Sequence, residues 1–262
     1  MKPLYLESRK GIRVLLDGKT LLVRREGDAE RIFPVNRLSR VVSHVGVDWD
    51  SKALLALAGE GIPTVFIDEE GAVAARVLGS GGERASLVLQ LEELLSRADG
   101  VDRYEDWRAH HHREQLLSLS RQYSWIGGLP DPDRMRGLLV ERLNGWLERQ
   151  EVVMSLKHLH ARTLAWSSER LSHLGVGAQT PHLTGGVIDL PSDLAEILQW
   201  RISVRWTVLL RRYPAARGTF ADQRRRQRWL TWFYQQLEPS LEKEGRRLLA
   251  RLHLWAATQD CP

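Results

Sequence analysis

Short apolar or alternating runs, separated by turn residues every eight to twelve positions, fill the first seventy-five or so residues. Leu4-Tyr5-Leu6, Ile12-Arg13-Val14-Leu15-Leu16 and Leu21-Leu22-Val23 come first, with Asp17-Gly18 as a hairpin turn between the second and third. Gly27-Asp28 turns the chain into Arg31-Ile32-Phe33-Pro34-Val35 and then Ser39-Arg40-Val41-Val42-Ser43-His44-Val45. One helix-like stretch interrupts the series, Ser51 to Gly59, opened by Asp50 or Ser51 as a cap and closed by Gly59 and Gly61. Thr64-Val65-Phe66-Ile67 is a further buried strand, which Glu69-Glu70-Gly71 turns back into Ala72-Val73-Ala74-Ala75-Arg76-Val77. This spacing predicts a small antiparallel sandwich or roll over residues 1–77.

From there the period changes. Gly79-Ser80-Gly81-Gly82 reads as part of a linker over 78–85, and the rest, 86–262, reads as helix. Leu87, Leu89, Leu91, Leu94 and Leu95 mark one amphipathic helix, and a second runs from near Tyr104 through Arg121. Gly127-Gly128-Leu129-Pro130-Asp131-Pro132 breaks the pattern, and Asp131 or Asp133 caps a helix from Arg134 to about Gln150, which continues or kinks into Glu151 to Leu174. After a loop containing His182 come a helix from Asp193 to Tyr213, then two helical stretches, Asp222 to Leu237 and Leu241 to about Thr258. The fold class expected is α+β, a small N-terminal antiparallel β-domain followed by a larger all-α domain.

Composition narrows the partners. The net charge of +5 comes mostly from arginine, in runs such as Arg211-Arg212, Arg224-Arg225-Arg226-Gln227-Arg228 and Arg246-Arg247. The planar fork of Arg suits phosphate, so the balance leans toward a polyanion such as nucleic acid. The one cysteine, Cys261, excludes a disulfide framework and a Cys-based zinc site. No apolar run reaches the roughly 18 residues of a spanning helix, and the N-terminus has no signal-peptide core, so a cytoplasmic protein without membrane contact is expected. No Walker loop, no GxGxxG after a strand and no GxSxG elbow is present, which leaves nucleotide-triphosphate chemistry and serine hydrolysis without support.

The stretch Thr180 to Trp200 carries the chemistry. His182 stands before Gly185-Gly186, and Asp193 and Glu196 follow three apart at a helix start, on one helical face. Two carboxylates and an imidazole suit a hard divalent ion; Ser192 or Asp193 as N-cap with Glu196 as capping-box glutamate explains the same letters without a metal. His110-His111-His112 cannot all face one ion, because neighbouring helical residues point about 100° apart. His158 and His160, two apart, fail likewise. Trp200, Trp206, Trp229 and Trp232 lie beside arginines at helical spacings, as core anchors or as stacking platforms for bases.

Leu4-Tyr5, Phe33-Pro34, Leu38, Val41-Val42, Val45-Gly46-Val47, Ser51, Ala53-Leu54, Leu57-Ala58, Gly61-Ile62-Pro63, Phe66, Asp68, Gly71 and Ala75-Arg76 fall in the order seen in the N-terminal β-domain of the CRISPR-associated integrases. The chain resembles that family. The resemblance implies that Thr180-Pro181-His182 stands for the family's G-F-L-H tract and Asp193-Leu194-Ala195-Glu196 for its D-L-x-E, with His182 and Glu196 as metal ligands and Asp193 lining the site. The family's third ligand is a glutamate in an E-G tract; here Arg136-Gly137 stands at that place, so Glu141 is the nearest acid to supply the third ligand and catalytic group, with Glu148 and Glu151 as alternatives. The implied activity is endonuclease and integrase chemistry dependent on Mg²⁺ or Mn²⁺, in which a DNA 3′-hydroxyl attacks a repeat phosphodiester to insert a spacer. The implied partners are double-stranded DNA (spacer precursor and CRISPR repeat), a second copy in a homodimer through the β-domain, and a small ferredoxin-like adaptation subunit. The Arg136 substitution sets a second expectation beside it, a catalytically inactive DNA-binding scaffold of the same fold.

Overall fold

A computed structural model of the chain describes residues 1–6, 11–25, 27–82, 85–128, 131–214, 218 and 220–259. Cys261, residues 83–84 of the expected linker and Leu129-Pro130 of the expected helix break lie outside the described residues.

Among the described residues, eight strands form two four-stranded sheets. In one, β2 (Ile12–Asp17) and β3 (Thr20–Arg25) pair around Asp17-Gly18, with Gly18 at φ 56°, a conformation that a Cβ disfavours. β4 (Arg31–Pro34) pairs antiparallel with β3, and β6 (Asp48–Trp49) pairs parallel with β2. The other sheet runs β1 (Lys2–Leu6), β5 (Leu38–His44), β7 (Thr64–Ile67), β8 (Val73–Val77); its first two pairings are parallel and only β7–β8 is antiparallel. The sheets are therefore mixed, which corrects the expected antiparallel domain. The cause lies in the connection: α1 (Ser51–Gly59) intervenes between β5 and β7, and a helical crossover returns the chain in the same direction. Asp50 caps α1 by accepting from the Lys52 N–H. All seven residues of β5 are buried, as a strand covered on both faces requires.

The chain divides into two compact units, Met1–Gln90 with Ala161–Ser192, and Leu91–His160 with Asp193–Pro262. The sequence placed 161–192 with the helices. Ala161 and Ala165 instead pack on Val42, Val65 and Ile67 of the sheet, so burial assigns the second half of α5 (Arg149–Ser172) to the first unit. The glycine tract after β8 packs in that same unit: the Gly82 N–H donates to the Ser172 carbonyl, and Gly79 accepts from Ala178. A Cβ on Gly79 would sit 1.6 Å from the Ala58 carbonyl oxygen, so glycine there permits close backbone packing where the sequence suggested a flexible linker.

In the second unit, α3 (Gly100–Gln122) and α4 (Pro132–Asn144) build a core of Leu116, Leu119, Met135 and Leu139 with Trp200 and Val204 of α6 (Leu190–Arg212). Asp131 caps α4 as expected, through the Arg134 N–H. α4 ends at Asn144 before α5 begins, and α2 (Ser86–Leu95) precedes α3. The two helical stretches expected after Asp222 are one helix, α7 (Gln223–Thr258), which passes through Pro239. Its buried residues Leu230, Phe233, Tyr234, Leu237, Leu241, Leu248, Leu252 and Ala256 keep helical spacing across the proline, so burial on one face outweighs the missing N–H. No helix among the described residues is long and apolar enough to cross a membrane.

Candidate functional site

His182 sits in the first unit, in a 3-10 turn over Pro181–Leu183, half-buried. Its carbonyl accepts from the Val187 and Ile188 N–H groups at 3.1 and 2.9 Å, and Thr184 bridges Asp189 across the loop. The turn needs glycine: a Cβ on Gly186 would meet the Pro181 carbonyl oxygen at 2.9 Å and the His182 Cα at 3.1 Å. Arg76 of β8 fastens the loop from below. Its guanidinium donates to both Asp189 oxygens, at 2.8 and 2.6 Å, and to the Thr184 carbonyl at 3.3 Å. Asp189 also accepts from the Ser192 N–H, so Asp189 caps α6 where the sequence assigned Ser192 or Asp193. The helix starts three residues early because Pro191 fits a first turn, where its missing N–H costs nothing. Arg76→Ala will cost the loop about 1.5–3 kcal/mol, the worth of a charge-assisted bond; hydrogen exchange at the Val187 and Ile188 amides reads it, and unchanged protection there would remove Arg76 from this role.

The carboxylates belong to the second unit. Asp193 is buried, 6% exposed, and both of its oxygens are engaged: the Tyr104 hydroxyl donates at 2.9 Å and the Arg108 guanidinium at 2.9 Å. Burial pushes its carboxyl above the usual range, with these two donors working against the rise. Burial and the Asp193 charge together hold the Tyr104 phenol well above its ordinary value, so Tyr104 stays a donor. Burial works against the charge of Arg108, yet the Asp193 bond and the charges of Asp193, Glu105 and Glu196 raise its pKa overall. Glu196, half-buried one turn on, thus lies in the field of Arg108, and Glu105 pairs with the same guanidinium.

Glu141 is exposed on α4. Glu151 accepts from the Glu148 N–H at 3.0 Å, a capping contact at the start of α5. Arg136 pairs with Asp133 at 2.7 Å and lies 5.4 Å from the Trp200 ring centroid. Trp200 in turn donates from Nε1 to His112 Nδ1 at 2.8 Å. Burial, with Arg108, Arg136 and His111 adding to it, lowers the His112 imidazole to about 4. The three histidines divide as helical geometry requires: His110 is exposed, His111 contacts Glu114 at 3.1 Å, and His112 meets Trp200. Among the described residues no group of three or more His, Cys, Asp or Glu side chains is placed to hold a metal ion. Sequence reasoning missed Tyr104 and Arg108, which lie 89 and 85 residues from the aspartate they bind and carry no local signal.

The family model described as CRISPR associated protein Cas1 matches residues 4–121. No curated protein matches the chain by sequence. Among solved structures, a TtCas1–DNA complex is similar with a TM-score of 0.64 at 16% identity, covering 96% of this chain and 91% of that one. TM1797, a CAS1 protein from Thermotoga maritima, gives 0.58 at 13% identity over 80% of this chain and 78% of that one. A casposase bound to integration product gives 0.52 at 13% identity over 80% and 72%. At these identities the likeness is one of fold. The family match covers residues 4–121, under half of the chain, and the likeness along nearly its whole length is to the fold of Cas1 proteins.

Proposed function

We propose that the chain is an integrase-type subunit of CRISPR spacer acquisition, part of antiviral defence, that holds double-stranded DNA on the arginine-lined faces of its helical unit. One observation carries the reading: in a chain with the Cas1 fold, Arg224, Arg225 and Arg228 stand exposed at the start of α7, while Arg226 between them turns inward and donates to the Phe220 carbonyl at 2.8 Å. Fixing one arginine inside presents the other three to solvent as phosphate forks. Replacing Arg224, Arg225 and Arg228 together by Gln will weaken duplex binding for every sequence tested and reduce the salt slope of log K by about 2–3. An unchanged slope in a salt titration by fluorescence anisotropy would sink the assignment of these three. By the family resemblance, the partners are a second copy of the chain and the small ferredoxin-like adaptation subunit.

The resemblance implies a divalent ion, and the donors present decide whether it fits. Both Asp193 oxygens are taken by Tyr104 and Arg108, Glu196 lies in the field of that guanidinium, and a cation, Arg136, stands where the family has a glutamate. These side chains do not fit a three-ligand centre as they stand, and no step is drawn through a metal. The fold shared with a casposase bound to integration product favours a second reading, Mg²⁺- or Mn²⁺-dependent strand transfer with Glu141, His182 and Glu196 as the essential residues. A strand-transfer assay separates the two, with a 3′-hydroxyl DNA fragment, a repeat target and either metal. DNA binding without joined product from the unaltered chain is expected of the holding role. Joined product that His182→Ala and Glu196→Ala abolish, with binding kept, would establish the second.

A further inference from the structure

The carboxylates of the helical unit that the resemblance offers to a divalent ion already hold a cation, the guanidinium of Arg108. Tyr104 and Arg108 stand one turn apart on α3, so both reach the same side chain in the first turn of α6. Arg108 Nη1 donates to one Asp193 oxygen at 2.9 Å, and the fully buried Tyr104 hydroxyl donates to the other at 2.9 Å. The second Arg108 nitrogen, Nη2, pairs with Glu105 at 2.5 Å. Burial draws the Arg108 pKa down, and the Asp193 bond with the charges of Asp193, Glu105 and Glu196 more than restores it. Three acids from two helices therefore act on one nitrogen fork.

A hard ion finds neither open ligands nor a favourable field here. Mg²⁺ and Mn²⁺ bind through carboxylate oxygens they can approach. Each Asp193 oxygen already accepts a donor, and the residue is only 6% exposed. An ion entering among these acids would stand against a permanent positive charge. The imidazole further along α3 is no better as a ligand: His112 Nδ1 accepts the Trp200 N–H at 2.8 Å, which leaves the ring proton on Nε2. Arg136, 5.4 Å from the Trp200 centroid, supplies a second guanidinium, whose charge opposes protonation of His112 as that of Arg108 does.

We infer that Arg108 is the resident cation of this site, taking among Asp193, Glu105 and Glu196 the place a divalent ion would hold, and that the helical unit holds DNA without such an ion. The second half rests on the DNA-holding role proposed above; the first does not. A guanidinium tethered to α3 offsets the acids at every metal concentration and cannot be chelated away. It also eases the approach of a DNA phosphate to a face that would otherwise repel it with three carboxylates. Tyr104, holding the other oxygen, fixes the Asp193 carboxylate in its pairing with Arg108.

Electron paramagnetic resonance on the full chain tests the first half with Mn²⁺ as the probe, because binding broadens the sharp signal of the free ion. At about 1 mM Mn²⁺, where weak oxygen sites fill, the unaltered chain and Asp193→Asn will bind equal amounts. One ion fewer in Asp193→Asn overturns the proposal. Arg108→Gln will gain one bound ion per chain, and Arg108→Lys, which keeps a cation there, will gain none. A folded Arg108→Gln without that gain, or an equal gain in Arg108→Lys, overturns the exclusion of metal by the charge of Arg108. Should circular dichroism find Arg108→Gln unfolded, the comparison with Asp193→Asn decides. For the second half, duplex binding by fluorescence anisotropy in EDTA will be at least as tight as in Mg²⁺ at equal ionic strength, because Mg²⁺ only competes for the phosphates. Binding that EDTA abolishes overturns the inference. Failure to bind duplex in either buffer overturns the DNA-holding role and this second half with it, while the Mn²⁺ counts still decide whether Arg108 is the resident cation.

Discussion

Arg40→Met will destabilise the first unit by about 3–5 kcal/mol, while the double change Arg40→Met with Glu169→Met will cost markedly less. Arg40 lies on β5, the strand buried along its whole length, with a side chain only 1% exposed; Glu169, on the part of α5 that packs in the same unit, is 5% exposed. The two form a direct ion pair, with the Tyr5 hydroxyl accepting a further Arg40 bond at 3.3 Å and Arg170 3.5 Å from the other Glu169 oxygen. A charge taken out of water at this depth depends chiefly on its counter-charge. Removing the guanidinium leaves Glu169 with the more distant Arg170, whereas removing both charges in favour of apolar side chains avoids that desolvation. Urea denaturation of the two single variants and the double variant forms a mutant cycle. A double variant as unstable as the sum of the singles would mean that the pair is not coupled. The pair also bears on function, because it ties the second half of α5 to the sheet inside the unit that carries His182.

Local chemistry made part of this architecture legible in the sequence. Asp17-Gly18 marked its hairpin, Asp50 and Asp131 marked their caps, and Gly185-Gly186 marked the turn that presents His182. What could not be read is non-local. The parallel partners of β5 depend on which strands a crossover brings back, and period-two alternation is blind to strand direction. Ala161 and Ala165 carry no mark of the sheet they cover, and nothing in the residues around them splits α5 between units. Pro239 reads as a stop until the apolar stripe on either side is seen to keep one phase. At the site, the spacing of Asp193 and Glu196 was visible, but the groups that decide their chemistry were not. The same two carboxylates beside a water-filled gap or beside Arg108 have opposite meanings, and only the packing of α3 against the start of α6 within the helical unit distinguishes them.

Acid will loosen the helical unit through His112, by about 3 kcal/mol between the fully neutral and fully charged limits of its imidazole. The ring is 9% exposed; burial lowers it to about 4, and the neighbouring charges of Arg108 and Arg136 act in the same direction. Its folded value lies below the ordinary 6.5, so between roughly pH 6.5 and 4 the unfolded chain binds the proton that the folded chain refuses. Stability is therefore greatest above that window and falls as pH drops through it. The loss has a structural cause: His112 Nδ1 accepts the Trp200 indole N–H at 2.8 Å, and a protonated ring has no lone pair there, so the bond breaks in a core that Trp200 shares with Leu139 and Val204. Asp193 works in the opposite sense, since its raised pKa favours the folded state in acid, so the imidazole contribution must be isolated by difference. Denaturation of the unaltered chain and of His112→Gln, whose amide oxygen can still accept from Trp200, should show free-energy curves that converge as pH falls toward 4. Arg136→Gln removes one of the cations that depress the ring, and an NMR titration should then find His112 protonating at higher pH. Parallel curves for the two proteins across the window would place the acid sensitivity in another group, and an unmoved titration in Arg136→Gln would mean that burial alone sets the value.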